Sequence, residues 1–291
     1  MPYFCPEKNC ETFDCPISAV PGKIRDIPEG SLVGCLSCAT TFHYEDYSCE
    51  VNYQAGTMQR HDVQLPAKPS KPTNYNQRRI DEINLLKADN SLTSVLDFGS
   101  GAGEFVKVAK SNGLEVSAFE IDNTVLESAN YRGIPLFRTF EEIPKEQFDL
   151  VTLFHVIEHV SNPLKMLSEV HSTLKKNGGM LIIETPNSRD ALISRWQVQG
   201  YLEWTYWIHH PILYSLSSLM SVVQNNGFRV KSIKYVQRYS LDNHLGWMIE
   251  GKPGGHLKQN FNIPEDLKIE YDKFLAEEGQ SDTLFLVAEK L

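Results

Sequence analysis

At 291 residues, with 41% hydrophobic and 22% charged side chains, the chain has a soluble globular composition that excludes fibrous repeats and wholesale disorder. Its length suits one large domain with a small appendage, because a single core stops growing near roughly 250 to 300 residues. A formal net charge of −9 repels polyanions on average, so a nucleic-acid partner is disfavoured and a small molecule or glycan precursor is the expected substrate.

The opening MPYFCPEKNC lacks the basic start and apolar run of a signal peptide, and no apolar stretch reaches membrane-spanning length, so a cytoplasmic location is expected. Cysteines seldom cross-link in that reducing compartment. All six fall within the first 49 residues. Residues 1–64 are therefore expected to form a small zinc-binding module. CLSC supplies Cys35 and Cys38 at knuckle spacing ahead of Phe42, and Cys5 with Cys10 would complete a tetrahedral structural site. Cys15 or Cys49 could replace one of these. The segment is acidic, with Lys8, Lys23, Arg25 and Arg60 outnumbered by carboxylates, which favours a structural or substrate-covering role over nucleic-acid binding.

LPAKPSKPTNY, residues 65–75, reads as an extended linker, and 76–291 as one catalytic domain. The domain opens on a helix whose Ile80, Ile83 and Leu85 or Leu86 share a face, stopped by Asn90 and Ser91. Apolar strands then alternate with amphipathic segments. Strands are expected at 94–98, 115–120, 134–137, 149–154 and 179–185. The helix at 161–176 carries Leu164, Leu167, Val170, His171 and Leu174 on one face, and another at 215–226 ends at Gly227. A sixth strand at 228–236 and a seventh at 283–290 would flank an insertion, 238–282. The pattern predicts an α/β fold: a doubly wound, seven-stranded, mostly parallel sheet.

The sharpest motif is VLDFGSGAG, a strand entering a glycine-rich turn that opens a helix. Such turns bring ligands close to backbone at the carboxyl ends of strands. The dinucleotide fingerprint fails, because Glu104 occupies the third glycine position and Asp97 would face a pyrophosphate, so a cationic, phosphate-free cofactor fits better. Asp97 followed by Gly99, Gly101 and Gly103 resembles the first motif of class I S-adenosylmethionine-dependent methyltransferases. The resemblance implies a Rossmann-like fold, S-adenosylmethionine as cofactor, and Glu120, with Asp122 nearby, on the ribose hydroxyls.

FDLVTLFHVIEHVSNP, 148–163, resembles the segment after the fourth strand in the same superfamily, including ubiquinone-pathway O-methyltransferases. It implies Phe154 and His155 at the methionine end of the cofactor. Glu158 and His159 match a pair associated there with a divalent ion, although His155 replaces that set's first acid. WTYWIHHPILYSLSSLMSVVQNNGF, 204–228, and the block at 237–261 are similar to methyltransferases associated with bacterial surface polysaccharides. That resemblance implies a sugar or nucleotide-linked sugar as acceptor, with Trp204, Tyr206, Trp207 and His209 on the substrate and His210 as candidate base, ahead of His155 and His159. The GKPGGH turn offers Lys252 and His256 to an anionic group. A phenolic or quinone-like acceptor and a non-catalytic cofactor-binding scaffold are the competing expectations, and assembly stays open, a homodimer included.

Overall fold

The computed structural model describes residues 17–20, 31–43, 75–89, 92–126, 129–207, 209–257 and 261–291. Cys5, Cys10, Cys15 and Cys49, the linker up to residue 74 and the His256 side chain lie outside the described residues. Near the N-terminus, Ile17–Ala19 (β1), Leu32–Cys35 (β2) and Thr41–His43 (β3) form an antiparallel meander. Tyr75–Asp89 (α1) follows, and then strands and helices alternate.

The alternation comprises Ser94–Phe98 (β4), Glu104–Ser111 (α2), Glu115–Phe119 (β5), Leu136–Phe137 (β6), Leu150–Phe154 (β7), Pro163–Thr173 (α3) and Met180–Pro186 (β8). Two short helices, Ala191–Ser194 (α4) and Gln199–Thr205 (α5), lead to Ile212–Leu213 (β9), Leu216–Asn225 (α6) and Phe228–Val236 (β10). The stretch expected as an insertion contains Leu241–Glu250 (α7) and Glu265–Glu277 (α8) before Thr283–Lys290 (β11). The main sheet has seven strands in the order β10-β11-β8-β7-β4-β5-β6. Only β11 runs against its neighbours. The expected doubly wound, mostly parallel sheet is therefore present, its third strand shortened to two residues.

Residue alternation explains how the sheet buries both faces. On β7, Val151 and Leu153 pack with Met166, Leu167 and Val170 of α3 and Leu219, Val222 and Val223 of α6. Leu150 faces the other way, towards Ile80 and Ile83 of α1 and Phe105, Val106 and Ala109 of α2. Local signals set the helix starts. Pro163 begins α3 with the Asn162 side chain accepting from the Lys165 amide at 3.0 Å, and the Ser215 hydroxyl caps α6 through the Ser218 amide at 3.3 Å.

The N-terminal meander is not a free-standing appendage. Its β3 pairs antiparallel with β9, Phe42 opposite Ile212, which makes a four-stranded sheet out of segments about 170 residues apart in sequence. Val33, Cys35, Cys38 and Phe42 share one core cluster with Phe98, Leu153 and Ile157 beneath the main sheet. Phe42→Ala should therefore destabilise the whole protein by about 3 to 5 kcal/mol in one unfolding transition. Denaturant titration followed by Trp fluorescence and circular dichroism checks this; a separate early transition that leaves the main one unmoved would show an independent module.

Candidate functional site

The carboxyl ends of β4, β5 and β7 border a cleft of about 690 Å³. Three glycines shape its floor. A side chain at Gly99 (φ 75°) would collide with Val156, 2.6 Å away, and one at Gly103 (φ 73°) would press on Tyr131 at 3.1 Å. Gly101 has nothing within 4 Å of where a Cβ would stand and lines the cleft. The turn thus gives a ligand bare backbone.

Glu120, at the end of β5, points into this turn. Its Oε2 accepts the Gly101 amide at 2.6 Å, and its Oε1 accepts those of Ile121 and Asp122, both at 2.8 Å. Burial pushes the carboxyl up from its usual range, and these amides pull part of the way back. Asp97, on β4, is buried, accepts from Thr152 Oγ1 at 2.7 Å and is pushed up to about 6 by burial. Asp122 accepts from the amide and hydroxyl of Thr124 and holds the turn after β5. Asp97, Gly99, Gly101, Glu120, Asp122, Phe154 and His155 all line the cleft, while Gly103 supports it from behind. A phosphate-free, diol-bearing, cationic ligand suits this donor set: two buried acids flank a glycine cradle that offers no basic side chain.

At the β7 and β8 ends lies a second cluster, centred on Glu184. This carboxylate is wholly buried and takes Arg78 Nη2 at 2.6 Å and Arg79 through Nε at 3.2 Å and Nη2 at 3.1 Å, together with the Tyr75 hydroxyl. Burial alone would raise Glu184, but the His155 contact and the Arg79 and Arg78 charges outweigh it and hold the carboxyl well below its usual range. Arg79 also lies over the Phe154 and Tyr75 rings, at 3.9 and 4.0 Å from their centroids.

His155 links this cluster to the cleft. Its backbone is left-handed (φ 59°), unusual for a non-glycine residue, and its amide donates to the Glu184 carbonyl at 2.7 Å. Nδ1 lies 3.1 Å from Glu158 Oε1, and Nε2 lies 2.7 Å from the Tyr75 hydroxyl, 2.7 Å from Arg238 Nη1 and 3.2 Å from Glu184 Oε1. Arginine can only donate, so Nε2 is the accepting nitrogen and Nδ1–H donates to Glu158. The Glu184 contact at Nε2 becomes a hydrogen bond only on the protonated ring. Burial opposes ionisation of Glu158, yet the His155 bond and the His155, His159 and His210 charges bring it down to about 2. Its other oxygen accepts from Thr185 Oγ1 at 2.9 Å, so both are spent on holding position and Glu158 serves His155.

Other expected site residues are placed elsewhere. His159 lines the cleft, with Nδ1 at 2.6 Å from the His209 carbonyl, but His210 stands behind it, 4.7 Å ring to ring, its own Nδ1 on the Thr205 carbonyl at 2.8 Å. The aromatic stretch is not a lid over this cleft. Tyr206 is buried among Leu32, Leu202 and Leu213, Trp204 stacks on Tyr201, and Trp207 packs edge-on to His209 and His210. None of these lines the cleft, nor does Lys252, which is exposed. Within GKPGGH, Gly255 has a packing cause, since a Cβ there would collide with the Asp242 carbonyl and meet the Gly246 Cα at 3.0 Å, whereas Gly251 (φ 64°) and Gly254 (φ 102°) take left-handed turn conformations with room around them. Cys35 and Cys38 are buried, and among the described residues no three metal-ligating side chains are grouped.

Sequence reading missed Tyr75, Arg78, Arg79, Glu184 and Arg238. Glu184 left a trace, as a lone acid inside the apolar run MLIIETP, where burial demands a cationic partner. Arg238 left none.

A family model described as "Methyltransferase domain" matches residues 72–233. The chain is 32% identical over 133 residues to the mitochondrial ubiquinone biosynthesis O-methyltransferase of Candida albicans, a match covering 38% of this chain and 39% of that protein. It is 31% identical over 104 residues to the ubiquinone biosynthesis O-methyltransferase of Pseudomonas aeruginosa, covering 32% and 44%. The chain thus spans less than half the length of either relative. A solved complex of the Haloferax volcanii Trm112 methyltransferase activator with a methyltransferase superposes with a TM-score of 0.50 at 14% identity, covering 75% of this chain and 92% of that one, a likeness of fold alone.

Glu120→Ala should weaken binding of S-adenosylhomocysteine by about 2 to 4 kcal/mol, since charge-assisted bonds to the ligand and the anchor of the Gly101 amide go together. In wild type, affinity should fall on acidification earlier than an ordinary carboxylate dictates, because burial raises Glu120 and its protonated form has less acceptor capacity. Calorimetric titration across pH decides both; unchanged affinity in the variant removes Glu120 from the site.

Proposed function

We propose, for a chain that belongs to the methyltransferase-domain family and is an S-adenosylmethionine-dependent methyltransferase, that the methyl group passes to a hydroxyl oxygen of a small acceptor seated over β7 and β8. The observation that carries this reading is His155. It lines the cleft, and with Glu158 on Nδ1 its Nε2 is the accepting nitrogen, held by Arg238 at 2.7 Å and able to take a proton once that donor moves to a ligand.

When bound, the cofactor supplies an electrophilic methyl on a sulfonium. The rest of the work is done by the chain. Gly99, Gly101 and Glu120 fix the ligand's register, and Asp97 adds negative potential beside the cation, an electrostatic role it fills best when ionised. In-line displacement chiefly needs alignment, and rigid strand ends supply it. An alcohol or phenol must lose its proton as the methyl arrives. His155 Nε2 takes that proton, and Glu158 at Nδ1 and Glu184 at Nε2 flank the resulting imidazolium with two buried carboxylates.

Support for oxygen as the acceptor comes from relatives named as O-methyltransferases, which favours a phenolic or quinone-like substrate over a glycan precursor. The glycan reading leaned on Trp204, Tyr206, Trp207, His209 and Lys252, residues that stand off this cleft. His210, 4.7 Å behind His159, is better cast as that residue's support than as the base.

Zinc stays in the proposal for the N-terminal segment. Cys35 and Cys38 have the spacing of a metal knuckle, and the turn between them has the Cys38 amide donating to Cys35 Sγ at 3.4 Å and Ala39 left-handed (φ 58°). Cys5 and Cys10 would supply the other two sulfurs.

His155→Gln should lower kcat by roughly 100 to 10,000-fold with cofactor affinity nearly intact, whereas His210→Ala should act weakly. Transfer of labelled methyl to catechol-type acceptors is the assay. Near-normal turnover in His155→Gln would remove the base from this account. For zinc, elemental analysis should find one metal ion per chain that Cys38→Ser loses; full retention would show Cys35 and Cys38 to be buried thiols only.

A further inference from the structure

Three guanidiniums converge on the cleft's β7–β8 end, but only one carboxylate there is shared among them. Arg78 and Arg79 consume Glu184. Arg238, just beyond β10, forms no ion pair among the described residues. Its guanidinium makes a single hydrogen bond there, Nη1 to His155 Nε2 at 2.7 Å, and its Nε is enclosed without a partner. Asp282 accepts the backbone amides of Arg238 and Tyr239 at 2.9 to 3.1 Å and so fixes the loop. The Tyr75 and Tyr239 rings, 4.5 and 5.4 Å from the guanidinium carbon, attract the charge through their faces but supply no anion. No carboxylate of the described residues bonds directly to this enclosed cation, Glu184 and Asp282 offsetting its burial only through space, and an anion carried by a ligand in the cleft would bond it directly.

Topology says which ligand. The glycine turn and Glu120 hold the cofactor over β4 and β5, and the strand order places β7, β8 and β11 progressively farther from them. Arg238 approaches from that far side. We propose that Arg238 is the anion-recognising residue of the acceptor subsite, so that the natural acceptor carries a carboxylate or phosphoryl group beside its reacting hydroxyl. The planar fork of a guanidinium matches either oxyanion. This rests on the reading of oxygen transfer given above. It also couples recognition to chemistry: Arg238 occupies the Nε2 lone pair of His155, and an acceptor that draws the guanidinium to itself releases that lone pair for the proton.

The test is a binding measurement on the full chain saturated with S-adenosylhomocysteine. Wild type, Arg238→Gln and Arg238→Lys are titrated with 3,4-dihydroxybenzoate, with catechol and with inorganic phosphate. Wild type should bind the dihydroxybenzoate about tenfold or more tighter than catechol, Arg238→Gln should erase the difference, and Arg238→Lys should keep part of it. Equal affinities in wild type, a preference that survives Arg238→Gln, or the absence of any anion binding weakened by that substitution overturns the proposal. A second arm compares S-adenosylhomocysteine with 5′-methylthioadenosine, which lacks the carboxylate. If Arg238→Gln weakens only the former, the anion is the cofactor's own and the proposal is likewise overturned. Anion binding without methyl transfer would count against the hydroxyl reading and leave Arg238 in place.

Discussion

The site depends on one buried charge, the Glu184 carboxylate at the end of β8. It has no exposure to solvent, and a lone ion there would be strongly destabilising. Its compensation organises what surrounds it: α1 must dock so that Arg78 and Arg79 reach it, the Tyr75 hydroxyl closes over it, and its backbone carbonyl holds the left-handed His155. A helix at the start of the domain and a turn at the end of β7 are thereby fixed by the same strand. Positional precision of this kind is what a displacement reaction demands, since small errors in alignment cost far more rate than small errors in affinity.

His155 then has different carboxylates on its two nitrogens. Glu158 sets the tautomer, and Glu184 Oε1 lies 3.2 Å from Nε2, where a protonated ring would donate a hydrogen bond to it. Both acids are held below the usual carboxylate range because their hydrogen bonds and neighbouring charges outweigh their burial, so the ring is fixed between two carboxylates. At the glycine turn the balance is reversed: burial raises Asp97 and Glu120, and Thr152 and the Arg79 charge for the one, backbone amides for the other, pull only part of the way back, which suits them to a cationic ligand.

Much of this was legible in the chain before any coordinates. Alternating apolar runs gave the seven strands because a sheet covered on both faces needs near-continuous hydrophobic strands. VLDFGSGAG and Glu120 were legible because bare backbone and a carboxylate one crossover later are local in sequence. The Glu184 cluster was not, since its members come from 75–79, 155, 184 and 238 and only the fold brings them together. The aromatic stretch misled for a physical reason. Tyr206 and Trp207 look like a lid in sequence, but β9 beside them accepts β3, and a strand-paired segment buries its aromatics in core. At the turn after α7, close backbone contact between Gly246 and Gly255 needs glycine whether or not an anion binds.

The most direct test is a crystal structure of the full chain with S-adenosylhomocysteine and 3,4-dihydroxybenzoate. The account predicts the homocysteine sulfur over β4, a hydroxyl of the acceptor within about 2.6 to 3.2 Å of His155 Nε2, and the carboxylate on Arg238. An acceptor hydroxyl turned away from His155, towards His159 or His210, would contradict it.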